Sequence, residues 1–358
     1  MADANSNESW QNPLPGVPDV ESPFFDRLFN QKQAKPGWYE AAVSLRDKGY
    51  AIIDFPDEDF DALADEIKSD LEPRYDFDGW RREGRDRGAS LRIQDAWKDN
   101  PAVRRVAGSR AILELLEYLY GRPAWPFQTL NFPVGTQQHF HTDAVHFSSI
   151  PERFMCGVWV ALEDIDSENG PLVYYPGSHK LPIFTNEHIG HFADDWLATG
   201  QQTYEPMWRE LVEAQGLERE QFHARKGQAL IWASNLLHGG ERHLDLDRTR
   251  WSQVSHYYFD DCLYYTPLNS DPGYGRMYLR DMTNIMTGAQ IPNRYLGNDV
   301  PKDFIHRMRH GVTIHRDVPD DFNSELYLEL HPDVAEAGVD AGEHYLTYGQ
   351  FERRPYKR

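Results

Sequence analysis

The sequence predicts a mainly β fold with flanking helices, closed as a barrel or a jelly roll. Three observations carry this. Between about 125 and 260 the apolar runs shorten to strand length, as in FQTLNF, FMCGVWVAL, PLVYYPG, GQALIW and WSQVSHYYF. Gly, Pro and Asp turn residues separate these runs, which is the punctuation of antiparallel strands. Aromatic residues make up 13% of a chain that is 40% hydrophobic, enough ring surface to fill a closed sheet. Such strands close most economically as a barrel or jelly roll whose mouth holds a small ligand.

The elements around this block follow in order. Residues 1–22 are polar and proline-rich without periodicity and read as a flexible N-terminal arm. PGWYEAAVSLRDKGYAIIDF reads as a helix ending near Gly49 and then a short strand, and DEDFDALADEIKSDLE as a second helix with an acidic first turn. Residues 74–92 carry six Arg among Asp, Glu and Gly with neither period, so they read as a long loop. That loop is either a solvated mixed-charge surface or a lid that binds an anion through Arg81, Arg82 and Arg85. SRAILELLEYLYGRP reads as a helix with Ser109 as N-cap, Gly121 as stop and Pro123 beyond it. After the β block, residues 262–319 are irregular, and the end of the chain reads as short helices. The expected organisation is therefore an arm over 1–22, a main domain over 23–318 with its β core at about 125–260, and a small helical C-terminal module over 319–358.

A formal net charge of −20 opposes nucleic acid and anionic membrane surfaces as partners. The two cysteines, Cys156 and Cys262, have no spacing that suggests a zinc site or a disulfide framework, which fits a reducing compartment. No apolar leader and no membrane-length run is present, so the expectation is a cytoplasmic protein.

The chemistry begins from a His-x-Asp pattern. It occurs four times: His141/Asp143, His243/Asp245, His315/Asp317 and His331/Asp333. With 15 His in an Asp-rich chain, one or two would arise by accident, so context must decide. His141/Asp143 enters the β block after FQTLNF, where a jelly roll points side chains inward, whereas the other three lie in turns or in the helical tail. His238 in KGQALIWASNLLHGG follows a buried strand and is the best second imidazole. Two His and one carboxylate on one face leave positions open, as expected for non-haem Fe(II) that must bind oxygen and a co-substrate. Arg250, in TRWSQVSHYYF, is suited to hold the distal carboxylate of a dicarboxylate co-substrate through a bidentate pair; Arg248 and Arg242 are nearby competitors, of which Arg248, in the turn before the strand, reads as solvent-exposed. His139, His146 and His256 could equally face the cavity or pack, and Tyr174, His179 and Trp232 read as packing.

GTQQHFHTD, VWVALEDIDSENGPLVYYPGSHK, KGQALIWASNLLHGG and RWSQVSHYY, in that order, resemble the phytanoyl-CoA hydroxylase family of Fe(II)/2-oxoglutarate dioxygenases over roughly residues 40 to 300. The resemblance implies a double-stranded β-helix, a jelly roll of the cupin kind, with His141, Asp143 and His238 as iron ligands. It implies that Arg250 binds the far carboxylate of 2-oxoglutarate, that Trp159 lines that pocket, and that Gln128 and Asn131 contact co-substrate or substrate. O2 and 2-oxoglutarate would be consumed, giving succinate and CO2 as a C–H bond of a small polar substrate is hydroxylated. The Arg-rich loop points to an anionic substrate. The tail resembles a short module appended to bacterial carbohydrate-active enzymes, which points to a carbohydrate-related one. Two alternatives remain at this level: a jelly-roll metal protein without oxygen chemistry, such as an isomerase or sensor, and a structural or glycan-binding protein with a vestigial triad.

Overall fold

The computed structural model of the protein describes residues 10–83, 91–193, 200–310, 317–350, 352 and 354–357. They fall into two compact units, Met1–Arg309 and His310–Arg358.

Amphipathic spacing builds the helices of the first unit: α1 (Phe25–Phe29), α2 (Trp38–Lys48), α3 (Phe60–Leu71), α4 (Phe77–Glu83), α5 (Pro101–Ala107), α6 (Arg110–Tyr120) and α7 (Glu205–Ala214). In α6, Ile112, Leu115, Leu116 and Leu119 recur at helical spacing and all are buried. The helix stops at Gly121, whose φ of +77° lets the chain turn left-handed. Ser109 occupies its N-cap position without making a side-chain cap bond, whereas Asn100 caps α5 by accepting from the Val103 amide at 2.8 Å.

Two expectations are corrected here. Residues 74–92 are not one long loop, because α4 lies inside them; Asp76 accepts from the Gly79 amide at 2.7 Å, and Trp80 is buried against Leu91 and Val134. Arg85 lies outside the described residues. Nor is the arm loose up to residue 22. Val20 is fully buried, Asp19 pairs with Lys32 at 2.8 Å and Glu21 with Arg153 at 3.0 Å. Those anchors offset the entropy that composition alone leaves uncompensated.

The strands up to Phe259 are β1 (Tyr50–Asp54), β2 (Ile93–Gln94), β3 (Ala124–Phe132), β4 (Ser148–Ile150), β5 (Met155–Ala161), β6 (Leu172–Tyr174), β7 (Glu220–Phe222), β8 (Gln228–Ala233), β9 (His238–Gly240) and β10 (Ser252–Phe259); beyond them the stretch expected to be irregular holds short pairings, such as Leu263–Tyr265 against β4, and the helix Lys302–His310. Six form an antiparallel sheet in the order β1-β8-β5-β10-β3-β2, and three form a smaller sheet, β7-β6-β9. A bridge between His141 and His238 extends the smaller sheet by one rung. Two facing antiparallel sheets with crossed connections make the jelly-roll core that the sequence predicts.

Strand alternation sorts the side chains. On β8, Ala229, Ile231 and Ala233 join the core beneath the helices, while Leu230 and Trp232 face the smaller sheet. On β5, Val158 and Val160 take the helical side and Trp159 the inner side. A cavity is therefore left between the sheets.

In the second unit, the helices Ser324–Leu330, Pro332–Ala337 and Ala341–His344 surround the buried rings of Tyr327 and Tyr345, with Phe322 and Tyr356 packed against them. Asn323 and Asp340 supply side-chain caps, accepting from the amides of Leu326 and Glu343 at 3.0 and 2.9 Å.

Candidate metal centre and active site

The rung added to the smaller sheet joins His141 and His238, whose backbones exchange N–H···O bonds of 2.9 Å in both directions. The close approach explains the glycine after His238: a Cβ on Gly239 would stand 2.7 Å from the Gln138 carbonyl oxygen. Each imidazole then repeats one device. Nδ1 of His141 lies 3.1 Å from the His139 carbonyl, and Nδ1 of His238 lies 3.0 Å from the Leu236 carbonyl. A ring nitrogen facing a carbonyl carries the proton, so both Nε2 atoms present lone pairs.

Asp143 completes the group. Its Oδ1 is 3.8 Å from both Nε2 atoms, and the three ligating atoms lie within 4.8 Å of one another in fully buried surroundings. The other oxygen, Oδ2, accepts from the Trp232 indole at 2.7 Å and lies 3.5 Å from Nε2 of His256. Burial by itself would raise the Asp143 pKa. His238 and the charge and hydrogen bond of His256 outweigh it and hold the carboxyl well below its usual range. Burial, with His238 adding to it, pushes His141 down to about 3 against the opposing pull of Asp143. Two imidazole Nε2 atoms and one carboxylate oxygen, three donors on one side with the cavity on the other, fit a non-haem Fe(II) ion.

Trp232 was read from sequence as packing, and the structure corrects this: the indole orients a metal-ligand residue. Its position depends on Gly157, the residue opposite it on β5, where a Cβ would stand 2.2 Å from the indole ring.

The cavity beyond the triad has a volume of about 360 Å³. Arg250 lines it and is 1% exposed. Its Nε donates to the Gly170 carbonyl at 2.9 Å and Nη1 to Ser252 Oγ at 2.6 Å, whereas Nη2 is buried without a partner. The guanidinium sits 5.5 Å from the ring centre of Trp159, which also lines the cavity. Burial lowers the Arg250 pKa to about 10, with Glu163 opposing, so it stays cationic at neutral pH. An orphaned donor on a buried cation is costly unless an anion arrives to pair with it.

Gln128 lines the cavity on β3, but Asn131 does not. Three residues apart on one strand puts them on opposite faces, and the Asn131 amide donates instead to Gln253 Oε1 at 3.2 Å. His146 and His256 line the cavity. His139 does not, and lies against the Phe140 carbonyl and Arg209. Tyr174 and His179 stay in packing positions. Arg248 pairs with Asp166 in the turn, and Arg81 donates to the Leu246 carbonyl outside the cavity. Sequence reading did not pick out Arg92, Gln94, Gln138 and Gln201, which also line it; Gln138 stands three residues before His141, inside the motif already marked.

Two of the other His-x-Asp pairs do structural work. His243 accepts the Gly135 amide at Nδ1 (3.0 Å) and donates to the Asp245 carbonyl from Nε2 (2.8 Å). His331 donates to the Pro355 carbonyl at 2.9 Å, and Asp333 pairs with Arg354 at 2.6 Å. His315 lies outside the described residues.

Comparison with known proteins agrees with the sequence resemblance. A family model described as phytanoyl-CoA dioxygenase matches residues 44–249. A probable phytanoyl-CoA dioxygenase of Caenorhabditis elegans is 30% identical over 110 residues, 28% of this chain, and the match spans 35% of that relative's length. Among solved structures, the non-heme alpha ketoglutarate dependent epimerase SnoN from nogalamycin biosynthesis is 21% identical with a TM-score of 0.48, over 75% of this chain and 94% of that one. EctD from S. alaskensis, solved with 2-oxoglutarate and 5-hydroxyectoine, is 16% identical with a TM-score of 0.46, over 65% and 80%.

Proposed function

The chain belongs to the phytanoyl-CoA dioxygenase family of Fe(II)/2-oxoglutarate-dependent enzymes, and from that premise we propose that it hydroxylates a C–H bond of a small, polar, anionic or carbohydrate-related metabolite. The observation that carries this is the buried Arg250 with its orphaned Nη2 in the same cavity as the triad. A metal protein without the co-substrate has no use for that cation. A carboxylate of 2-oxoglutarate would supply the acceptor that Nη2 lacks and the counter-charge that the buried guanidinium lacks.

His141, Asp143 and His238 would hold the iron, and Trp159 would flank the co-substrate beside Arg250. The carbonyls of His139 and Leu236 hold the imidazoles in the ligating tautomer, and Trp232 holds Asp143 with Oδ1 free. Iron and 2-oxoglutarate together would supply the oxidising power, with O2 and 2-oxoglutarate consumed, succinate and CO2 released, and a hydroxyl delivered to the substrate carbon. Gln128 stands on the substrate side, tied to His256 at 3.0 Å. All of these residues belong to the unit Met1–Arg309, and we assign residues 319–358 to a separate module.

The test is an anaerobic titration of metal-free protein with Fe(II) and then 2-oxoglutarate, following the visible charge-transfer absorption of an iron-bound keto acid. The band should form in the wild type and be lost in Asp143→Ala. Iron binding without a band would leave the family's metal site but remove the oxygenase reading.

A further inference from the structure

In the part of the cavity wall that the iron and co-substrate positions leave over, four carboxamides stand beside Arg92, Thr136, His146 and apolar side chains. Gln94, Gln128, Gln138 and Gln201 all line it. Each has engaged only part of its hydrogen-bonding capacity on protein. Gln138 Nε2 donates to Gln201 Oε1 at 2.9 Å, and that oxygen also lies 3.4 Å from His146 Nε2, which leaves Gln138 Oε1 as an acceptor and the Gln201 NH2 as a donor group. Gln128 Oε1 faces His256 Nδ1, which leaves the Gln128 amine. Gln94 donates weakly to Asp95 at 3.4 Å, which leaves its carbonyl. The wall thus offers donors and acceptors side by side. Asp143, a ligand of the metal site, is the sole carboxylate among the described lining residues, so a cationic substrate finds no counter-charge. Phe147 supplies an apolar ring in the same wall.

We propose that this wall binds a polyhydroxylated ring, a carbohydrate unit, through the carboxamides of Gln94, Gln128, Gln138 and Gln201. A hydroxyl donates and accepts at once, and so does a carboxamide, so neighbouring hydroxyls on a ring satisfy both halves of such an array. An acyl chain would strand four amides out of water, each at the cost of an unmade hydrogen bond. Phe147 then meets the C–H face of the ring. The inference rests on the proposed reaction only in that the bound ring is the molecule to be oxidised.

Calorimetry on the metal-free full chain tests the wall without requiring turnover. The probes are methyl β-D-glucoside, methyl α-L-rhamnoside and myo-inositol, with palmitoyl-CoA and choline as counter-probes. At least one hydroxylated ring should bind. The double variant Gln138→Leu/Gln201→Leu, which removes two amides that partner each other, should weaken it by about tenfold. The same variant with iron and 2-oxoglutarate should keep the charge-transfer band, which shows that the site is folded. Binding of palmitoyl-CoA or choline with no response to any ring overturns the proposal, and so does ring binding that the double variant leaves unchanged. Loss of the band in the wild type, with ring binding intact, sinks the oxygenase reading and leaves the carbohydrate site standing.

Discussion

At the scale of single residues, the strongest constraint on the centre is the grip on Asp143 from behind. Trp232 is its neutral donor at 2.7 Å, so Trp232→Phe keeps the ring and removes the N–H. Iron affinity should drop by about 10- to 100-fold in an Fe(II) titration, with the melting transition still cooperative, because outer partners of metal ligands carry that much. Arg250→Lys keeps the charge but not the fork. The apparent affinity for 2-oxoglutarate, read from the absorption titration, should fall by at least about tenfold while iron binding is unaffected. His141, Asp143, His238 and Arg250 were legible in the sequence because the chemistry demands those residue types beside strand-forming sequence. Trp232 was not, since an indole in a β core is ordinarily packing, and what turns its N–H toward Asp143 is a missing side chain 75 residues away at Gly157.

At the scale of elements, that gap makes β5 a determinant of the centre although it carries none of His141, Asp143 and His238. Gly157→Ala would drive a Cβ into the Trp232 ring, 2.2 Å away. Either the indole or the strand must shift, and overpacking of this kind costs about 1–3 kcal/mol. The expected outcome is a lower urea midpoint together with weaker iron binding. A fall in stability with iron affinity intact would show that Trp232 does not transmit the strain. Strand parity was also available in the sequence. Gln128 and Asn131 are an odd number of residues apart and cannot both face inward on a regular strand, and where the pairing with β10 shifts between His256 and Tyr257 the extra residue is Phe127 on β3, outside the stretch from 128 to 131. By contrast, α4 was hidden because its arginines mask the short apolar stripe of Phe77 and Trp80.

At the scale of the whole molecule, acid stability should carry the mark of a buried histidine away from the active site. Burial holds His179 down to about 4, although its Nε2 meets the Arg46 carbonyl at 3.0 Å. The unfolded chain would protonate it near 6.5, so between about pH 6.5 and 4 the unfolded state binds the extra proton and stability falls as pH falls. The loss amounts to about 2–3 kcal/mol. Urea denaturation across that window should show a steeper decline for the wild type than for His179→Gln. The separate compact unit His310–Arg358 motivates a further measurement: a chain ending at Arg309 should still form the iron-bound keto acid band, and its loss would make the C-terminal unit a requirement of the centre. The change to short helices at the end of the chain was readable from its turn residues, but its aromatic centre was not, because Phe322, Tyr327, Tyr345 and Tyr356 converge from distant positions.

The rung that joins His141 to His238 has a consequence for the life of the protein. Any ion gripped by both ligands ties together points 97 residues apart (141 to 238) and so acts as a removable cross-link across the middle of the chain. A cell short of iron would then hold a chain that is idle and also easier to open and digest, so that metal supply sets how long each copy survives as well as how fast it works.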